Sequence, residues 1–439
     1  MSNNPKTESF NDLASADSGS CFSFANGKKI SLGELFSQAQ RVASGLPQAS
    51  YAINLCQDRY LFTVAFLAVI LREQINLLPQ NRSPGCVENL LENHSASYCI
   101  SDEPDLPFSG VRITLPDSTP EARETIPRIQ KDRIACISFT SGSTGEPKSI
   151  AKTFGEFSCC ARLATQRLGI GPKVLLVSTV PPQHTYGLET SVFWPLVSGA
   201  AIHSGRPFFP EDIRRTVCDS KQPCFLISTP TQLKACVESS LCWTNLAGVL
   251  SSTAAMPLKL AEAIEQTFAV SLFEVFGSTE TLSFASRRLC VSEKWQPYDG
   301  VEPSPESEGF RVSGGHLQTA IRLDDRVEID PRGFFTLTGR SSDLVKIGGK
   351  RASLTELNRL INEIEGVRDA VFYPTGNGRL GALVVSRRSK ESILAELRQS
   401  IDEVFLPRPL HLVQTIPRNE LGKIVKWKLD QLTGALDIG

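Results

Sequence analysis

The sequence predicts an α/β protein with a large N-terminal domain of mixed sheets and flanking helices, followed by a small α+β domain. Two observations support this fold class. Short β-prone runs alternate with helical segments along most of the chain, and this alternation stops after Arg340. Alternating strands and helices indicate a sheet with crossover connections, and such sheets bind ligands at the carboxyl ends of their strands. At 439 residues, the chain is long enough for two or three domains.

The elements of the N-terminal domain are predicted from the spacing of apolar residues. Residues 30–46 carry apolar side chains at helical spacing, with Ser31 in place as an N-cap. A strand at 52–56 precedes a continuous apolar run at 60–71, which is typical of a buried helix. The further predicted strands are 96–100, 174–178, 200–202, 225–228 and 248–252, and the further predicted helices are 154–168, 190–197, 211–219, 230–238 and 258–267.

The last part of the chain has a different pattern. A strongly amphipathic helix at 354–364, strands at 370–373 and 381–386 and a helix at 392–404 predict a compact α+β unit. Charges, glycines and a turn cluster between Arg340 and Lys350. We therefore place the domain boundary there, with an N-terminal domain at 1–340 and a C-terminal domain at 341–439.

The composition argues against several classes of function. The 46 basic and 47 acidic side chains nearly cancel, so the sequence has no electrostatic footprint for nucleic acid or an anionic membrane. The longest apolar run, Leu61 to Leu71, is too short to span a bilayer, and the first residues contain no signal-peptide pattern. The twelve cysteines are scattered without a CxxC pair, which argues against zinc and disulfide frameworks. We therefore expect a cytoplasmic protein with reduced thiols.

The most informative segment follows the β-prone run at 134–139. It combines hydroxyl side chains, glycines and one lysine: Thr140, Ser141, Gly142, Ser143, Thr144, Gly145 and Lys148. The two glycines allow positive φ, so that backbone N–H groups can approach an anion, and Lys148 adds a positive charge. The pattern predicts a polyphosphate site, although it is not a Walker A loop because Pro147 stands where glycine is needed. A flexible Ser/Gly linker is the alternative.

Three further segments carry candidate chemistry. Phe276-Gly277 places a flat ring beside a backbone that a planar ligand can approach, and Glu280 could hold magnesium together with phosphate oxygens. Alone, this segment also fits an ordinary turn with a solvated glutamate. Asp325 precedes a Gly-Arg pair at Arg340, and residues 417–423 form a turn that presents a single lysine, which is otherwise common on protein surfaces.

In this order, the segments closely resemble the motifs of the adenylate-forming superfamily of acyl-CoA synthetases, peptide-synthetase adenylation domains and luciferases. The resemblance runs from about Ser31 to Trp427. Residues 140–148 resemble its phosphate loop, and residues 276–280 resemble its Tyr-Gly-x-Thr-Glu motif with phenylalanine for tyrosine. Residues 417–423 resemble its Pro-x-x-x-x-Gly-Lys loop. The resemblance implies a large N-terminal adenylate-forming domain and a small mobile C-terminal domain.

The resemblance also implies ATP and Mg²⁺ as cofactors. The implied nucleotide-binding residues are Thr140, Ser141, Gly142, Ser143, Thr144, Gly145, Lys148, Phe276, Gly277, Thr279, Asp325 and Arg340. Phe276 would stack on adenine, Glu280 would carry the metal, and Asp325 would accept hydrogen bonds from the ribose hydroxyls. The family usually has Thr-Gly-Asp at this position and this chain has Leu-Asp-Asp, so Asp324 could share the ribose contact.

The resemblance places the chemical step on the C-terminal domain. Adenylation needs positioning and charge stabilisation more than acid–base catalysis. Lys423 would bridge the substrate carboxylate and the α-phosphate. The C-terminal domain would then swing about the hinge residue Asp343, which withdraws Lys423 and presents the Gly348-Gly349 face to a thiol. An ordinary loop carboxylate is the alternative for Asp343.

The acid-binding side is predicted from residues 181–188 and 251–254. The implied substrate residues are His184, Tyr186, Gly187, Ser252, Thr253 and Ala254. His184 would lie beside the acyl carboxylate, with a satisfied core histidine as the alternative. Tyr186 stands near the position where amino-acid-activating domains place an aspartate, which argues against an α-amino acid. Residues 251–254 replace a Gly-Gly-Ala stretch with bulkier residues, which favours an aryl or short unsaturated acid over a long fatty acid.

These residues predict an ATP-dependent carboxylic acid–thiol ligase in which His184, Glu280 and Lys423 act in catalysis. The acceptor would be CoA or a carrier-protein phosphopantetheine, so an acyl carrier protein is a candidate partner beside the small acid substrate. A luciferase-like adenylate oxidase shares every motif. A non-catalytic ATP-binding protein is disfavoured because the key charged residues occur together, namely Lys148, Glu280, Asp325 and Lys423.

Overall fold

The structure is a computed structural model. It describes residues 10–11, 18–25, 28–105, 108–114, 125–141, 147–307, 309–340, 343–347, 349–375, 378–418, 424 and 426–437. Its α-helices are α1 (Leu32–Gly45), α2 (Arg59–Leu71), α3 (Pro84–Asn93), α4 (Phe154–Leu168), α5 (Thr185–Leu188), α6 (Trp194–Ser198), α7 (Pro210–Cys218), α8 (Pro230–Glu238), α9 (Leu258–Phe268), α10 (Leu354–Glu363), α11 (Lys390–Leu397) and α12 (Lys426–Asp437). A π-helix at Glu189–Phe193 joins α5 to α6, and a 3₁₀ turn lies at Glu403–Phe405.

The strands are numbered along the chain. The first ten are β1 (Phe10–Asn11), β2 (Cys21–Ala25), β3 (Lys28–Ser31), β4 (Tyr51–Asn54), β5 (Ile75–Leu78), β6 (Ser97–Ser101), β7 (Gly110–Arg112), β8 (Ile129–Gln130), β9 (Ile134–Ser141) and β10 (Pro147–Thr153). The next ten are β11 (Leu175–Ser178), β12 (Ala201–His203), β13 (Cys224–Ser228), β14 (Leu246–Ser251), β15 (Leu272–Ser278), β16 (Leu282–Arg287), β17 (Gln296–Pro297), β18 (Val301–Pro305), β19 (Phe310–Gly314) and β20 (Ile321–Leu323). The last seven are β21 (Asp325–Ile329), β22 (Phe335–Arg340), β23 (Leu344–Ile347), β24 (Lys350–Ser353), β25 (Val367–Pro374), β26 (Leu380–Ser386) and β27 (Leu410–Leu412).

Two large sheets dominate the part of the chain before Arg340. The nine-stranded sheet has the order β17-β16-β15-β14-β13-β11-β12-β2-β3, and its strands from β15 to β2 run parallel. The six-stranded sheet has the order β10-β9-β5-β4-β6-β7, in which only β10 runs antiparallel. Parallel neighbours require crossover connections, and the helices between these strands supply them. The α/β fold class predicted from the alternating pattern is confirmed.

The core explains why α2 is apolar on all sides. Every residue of α2 except Leu71 is buried, and the helix belongs to a hydrophobic cluster that also includes α1, α4 and the π-helix. A second cluster packs α7, α8 and α9 against the other face of the parallel strands. Two smaller clusters draw on residues 345–432 alone and support α10, α11 and the β25–β26–β27 sheet. The predicted division into domains at 340 remains a prediction.

Helix starts follow the capping residues. Ser31 and Glu34 form a reciprocal capping box at α1, and Thr153 and Glu156 form another at α4. The predicted helix at 392–404 is interrupted, because α11 ends at Leu397 and Asp402 caps a separate turn by accepting from the Val404 N–H at 3.2 Å. In the ranges that the structure describes, no helix has the length and apolar character to cross a membrane.

Candidate active site

The site lies where parallel strands of the nine-stranded sheet end. Strands β11, β13, β14 and β15 run in the same direction, so their last residues share one edge of the sheet. Those residues are Ser178, Ser228, Ser251 and Ser278. The segments predicted to bind acid and nucleotide follow three of these strand ends directly: 181–188 after β11, 252–254 after β14 and 279–280 after β15. The topology therefore gathers segments that are far apart in the sequence.

The predicted phosphate loop connects two paired strands. β9 and β10 are antiparallel, with Ser141 opposite Pro147 and Thr140 opposite Lys148. Residues 142–146 and the side chains of Thr140 and Ser141 lie outside the described residues, so the structure does not place the predicted contacts of Gly142, Ser143, Thr144 and Gly145. The Lys148 side chain is described and is 65% exposed.

Lys148 forms an ion pair with Glu280, the last residue of the 276–280 motif. Its Nζ lies 3.8 Å from Oε1 of Glu280, whose side chain is 30% exposed. A lysine suits phosphate oxygens, and a carboxylate suits a magnesium ion that takes its remaining ligands from phosphates and water. The donor set fits a magnesium–polyphosphate group. Among the described residues no cluster of three His, Cys, Asp or Glu residues could hold a metal, so this fit depends on Glu280 and the phosphates together.

The turn that carries Glu280 is held by hydroxyl groups. The Ser278 N–H donates to Thr281 Oγ1 at 2.9 Å, and Thr281 Oγ1 donates to the Leu282 carbonyl at 2.8 Å. A Cβ on Gly277 would stand 1.9 Å from that same carbonyl oxygen. Glycine is therefore required here by the close approach of β16, a reason that the sequence pattern did not reveal.

Phe276 lies within a group of aromatic rings. Its ring centroid is 5.2 Å from that of Trp295, 5.4 Å from that of Phe284 and 6.0 Å from that of Phe335. Trp295, Phe284 and Phe335 are buried, so the half-buried Phe276 is the ring of this group that reaches the surface beside the Glu280 turn. The predicted stacking of Phe276 on adenine remains a prediction.

The acid-side segment folds tightly after β11. His184 caps α5, where its carbonyl accepts from the Leu188 N–H at 2.7 Å, and its side chain is half-buried. A Cβ on Gly187 would stand 1.9 Å from the Pro181 carbonyl oxygen, so this glycine allows the segment to turn back on itself. The predicted substrate residues His184 and Gly187 thus occupy one compact turn.

Tyr186 links this turn to two strand ends. Its hydroxyl donates to the carbonyls of Ser228 at 3.4 Å and Leu250 at 3.3 Å. Burial raises the pKa of the Tyr186 hydroxyl well above its ordinary value, and the Glu189 carboxylate raises it further. The Tyr186 hydroxyl therefore keeps its proton and acts as a hydrogen-bond donor, and it lies beside the segment that follows β14.

Thr253 has a strained backbone at this edge. Its φ is +81°, in the left-handed region that a β-branched residue rarely adopts. Its neighbour Ser252 donates from Oγ to the Val275 carbonyl at 3.0 Å, which holds the segment against β15. Thr253 is half-buried and Ala254 is exposed. The bulky stretch predicted to floor the acid pocket thus lies where the acid-side and nucleotide-side segments meet.

Glu189 is a buried acid whose role sequence reasoning missed. It is 3% exposed, and its two oxygens accept from the Ser283 N–H at 3.0 Å and the Ser283 hydroxyl at 2.5 Å. Cys160 donates to it at 3.5 Å. Burial raises the pKa of Glu189 to about 7, while these hydrogen bonds act in the opposite direction. The available signal was a glutamate within an apolar helical segment.

The predicted nucleotide-binding residues Asp325 and Arg340 pair across a hairpin. Asp325 begins β21 and pairs with Arg340 at the end of β22. The Asp325 side chain is half-buried, whereas Asp324 is exposed. The Arg340 side chain lies outside the described residues.

The predicted hinge and catalytic lysine lie in the last part of the chain. Asp343 Oδ2 accepts from Thr355 Oγ1 at 2.6 Å, in the first turn of α10. Lys423 lies outside the described residues, but its loop is bounded by a bridge between Arg418 and Ile424. Arg418 binds Asp369 through two hydrogen bonds of 2.7 and 2.9 Å, which anchors the start of the loop.

Comparison with known proteins gives a family match. The model of the AMP-binding enzyme family matches residues 16–314. Sulfoacetate–CoA ligase of Cupriavidus necator is 25% identical over 376 residues, which cover 73% of this chain and 72% of that protein. 2-Succinylbenzoate–CoA ligase of Staphylococcus epidermidis is 22% identical over 343 residues, covering 68% and 70%. p-Hydroxybenzoic acid–AMP ligase FadD22 of Mycobacterium tuberculosis is 26% identical over 68% of this chain and 48% of that protein.

Solved structures share the fold. O-succinylbenzoate CoA synthetase from Bacillus subtilis in complex with AMP superposes with a TM-score of 0.81 at 19% identity, covering 95% of this chain and 97% of that chain. ATP-bound MatB from Rhodopseudomonas palustris gives a TM-score of 0.79 at 20% identity, covering 96% and 97%. At this level of identity the likeness extends to the architecture alone.

Proposed function

Because the chain belongs to the AMP-binding enzyme family of the adenylate-forming superfamily, we propose that it is an ATP-dependent carboxylic acid–thiol ligase. The observation that carries the proposal is the ion pair between Lys148 and Glu280, at 3.8 Å. It joins Lys148 in β10 to Glu280 in the turn after β15. Thr279 of the same turn accepts a hydrogen bond from Thr185 of α5 at 3.5 Å. The residues predicted to bind phosphate, magnesium and the acid are therefore neighbours, which supports the proposal.

The reaction has two steps. A carboxylate oxygen of the acid attacks the α-phosphorus of ATP, a P–O bond forms, and the bond to pyrophosphate breaks. The sulfur of a thiolate then attacks the acyl carbon, and AMP leaves with the C–O electron pair. The first step moves negative charge from a carboxylate oxygen to a pyrophosphate oxygen, and the second moves it from the thiolate sulfur to an oxygen of AMP. Fixed positive charge and correct positioning therefore lower the barriers.

Named side chains have distinct roles in this proposal. Lys148 would bind the outer phosphates, and Glu280 would hold a magnesium ion, which would offset phosphate charge. Lys423 offsets the charge that develops between the carboxylate and the α-phosphate. His184 and Tyr186 form the wall beside the acid, Phe276 packs against adenine, and Asp325 binds the ribose. After adenylation, rotation about Asp343 replaces Lys423 with a surface that admits the thiol.

We propose that the substrate is an aryl or short unsaturated acid. Residues 251–254 are bulkier than the Gly-Gly-Ala stretch usual in the family and would shorten the acid pocket, and three relatives are named for small acids: sulfoacetate, 2-succinylbenzoate and p-hydroxybenzoic acid. Glu189, the acid nearest to Tyr186 along the chain, accepts hydrogen bonds from Ser283 and Cys160. Its carboxylate is therefore engaged away from a substrate ammonium, which disfavours an α-amino acid.

CoA is the first acceptor to test, because two of these relatives are named as CoA ligases. A phosphopantetheine on an acyl carrier protein presents the same thiol chemistry and is the second. We place the reaction in the cytoplasm, where ATP and CoA are both available.

The deciding experiment is acid-dependent exchange of pyrophosphate into ATP with a panel of aryl, short-chain and long-chain acids. Exchange with aryl or short acids, followed by thioester formation with CoA or a loaded carrier protein, supports the proposal. Absence of exchange with every acid would leave a non-catalytic ATP-binding protein. Exchange followed by an oxygen-dependent product instead of a thioester would indicate an adenylate oxidase.

A further inference from the structure

Arg59 is a fully buried cation at the first position of α2. It is 0% exposed. Its Nη1 donates to the Val180 carbonyl at 2.9 Å and to Ser191 Oγ at 2.6 Å, and its Nη2 donates to the Ser178 carbonyl at 2.7 Å. These three acceptors are neutral. Within the described part of the chain, Nε has no hydrogen-bond partner.

Burial of such a side chain is unfavourable to the free energy of folding. A charged group removed from water without a hydrogen-bonded counter-ion destabilises the fold, and an apolar side chain of similar volume is usually the more stable choice. Burial and, to a smaller extent, the positive charge of Arg206 lower the pKa of Arg59 to about 9, while the nearby Asp58 acts in the opposite direction. Stability alone therefore does not explain why an arginine is buried at this position. We look for the reason in the positions of its hydrogen-bond acceptors.

Those partners enclose the acid-side segment. Val180 precedes the turn that carries His184 and Tyr186, and Ser191 follows that turn in the π-helix. One nitrogen of Arg59 binds both, which closes residues 181–190 into a fixed loop. Ser178, the third partner, is the last residue of β11.

A second contact holds the same loop from the same side. Gln183 is 9% exposed, and its Nε2 donates to the Cys56 carbonyl at 2.7 Å, just before α2. The start of α2 and the residues before it therefore hold the loop both before and after His184. A planar guanidinium can meet acceptors from three directions, whereas a lysine ammonium at the end of a flexible stem cannot do so with the same geometry.

We propose that Arg59 is a positioning residue for the acid substrate, because its guanidinium fixes the loop that presents His184 and Tyr186 to the carboxylate. This inference rests on the proposed ligase function. It concerns the acid site more directly than the nucleotide site, because Val180 and Ser191 border the loop that carries His184 and Tyr186. Loss of the guanidinium should therefore affect the two substrates unequally.

The test compares Arg59→Lys and Arg59→Met with the unmodified protein in pyrophosphate exchange. We expect KM for the acid to rise about tenfold to a hundredfold, the scale of one or two lost charged hydrogen bonds, while KM for ATP changes less than about twofold. Ser191→Ala removes one acceptor and keeps Arg59, so it should raise KM for the acid about threefold to tenfold. Thr165→Val is the matched control, because it removes a buried hydroxyl that donates within α4 to Ala161 at 2.8 Å.

The outcomes separate the two proposals. If the unmodified protein exchanges pyrophosphate with none of the acids, both the proposed function and this inference are overturned. A second outcome is that the unmodified protein exchanges pyrophosphate, and the variants lose thermal stability or active fraction while the ratio of KM for the acid to KM for ATP stays unchanged. In that case Arg59 has only a structural role, and this inference alone fails. If Arg59→Met does not fold, Arg59→Lys and Ser191→Ala decide by the same ratio.

Discussion

Thr185 Oγ1 donates to Thr279 Oγ1 across 3.5 Å, which connects the first residue of α5 to the turn that carries Glu280. Four residues further along both segments, Glu189 binds Ser283 through its two carboxylate oxygens. The segment 185–189, which begins with α5, is therefore joined to the hairpin of β15 and β16 at two points. An enzyme that must bring a carboxylate against a phosphate benefits from this rigid connection.

Replacement of Lys423 with Ala should suppress adenylation by roughly two to three orders of magnitude, the scale of one transition-state charge contact. Thioester formation from pre-made acyl-adenylate should survive, because Lys423 is withdrawn in that step. Lys428→Ala, an exposed lysine of α12, is the control. Pyrophosphate exchange and single-turnover thioester formation measure the two halves. Equal loss of both halves in a folded variant would contradict the two-conformation mechanism.

Replacement of Asp343 with Pro should have the opposite effect. Proline fixes φ near about −65° and removes the rotation that a hinge needs, so exchange should persist while thioester output falls. Thr355→Val is the companion variant, because it removes only the hydrogen bond to Asp343. If Thr355→Val reproduces the proline phenotype, the hydrogen bond and not the backbone rotation is decisive. Unchanged thioester output in Asp343→Pro would make Asp343 an ordinary loop residue.

Replacement of Glu189 with Gln should change the pH dependence of stability. Burial raises the pKa of Glu189 from 4.5 to about 7, so the folded protein retains a proton that the unfolded protein releases. The Glu189 contribution to the free energy of unfolding therefore falls as the pH rises from about 4.5 through 7. Glutamine does not titrate, so the variant does not lose this contribution. Its free energy of unfolding should rise relative to that of the parent by at most about 3 kcal/mol between pH 4.5 and 8.

Urea titrations at several pH values measure this difference. The exposed Glu262 of α9 is the control, and Glu262→Gln should show no such change with pH. A Glu189→Gln variant whose stability relative to the parent does not vary between pH 4.5 and 8 would show that the buried carboxyl does not titrate as its surroundings indicate.

The features that can be predicted from the sequence are those that residues close together in the chain determine. The helix α1 could be predicted because its apolar residues recur at helical spacing after the N-cap Ser31, and α2 because its run is apolar on every side. The family motifs marked Lys148 and Glu280, but these residues belong to different sheets, and only the folded chain brings β10 and the turn after β15 together. No local pattern indicates that two chain segments approach closely, which is why the packing reason for Gly277 was missed. The same holds for the π-helix, whose Glu189 finds its partner Ser283 only after folding.

Thr253→Gly tests both the strain and the pocket. At φ +81° glycine adopts the backbone without a steric penalty, so the variant should be more stable by roughly 0.5–1 kcal/mol after its larger unfolded-state entropy is deducted. Ala254→Gly, at the adjacent position, should instead lose roughly 0.5–1 kcal/mol, because its backbone gains nothing from glycine. Thermal and urea denaturation compare the two. A Thr253→Gly variant that is destabilised as much as Ala254→Gly would contradict the strain.

The same variant should alter acid selectivity. Removal of the threonine side chain frees a small volume, so one or two additional methylenes of the acid should be tolerated. Each buried methylene contributes roughly 0.8 kcal/mol, which shifts kcat/KM several-fold per carbon. The parent should prefer a ring or a short acid, and the variant should lose that preference. A parent that prefers long-chain fatty acids in kcat/KM would overturn the aryl assignment and leave the adenylation chemistry intact, because that chemistry is assigned to Lys148, Glu280 and Lys423 and not to the residues that floor the pocket.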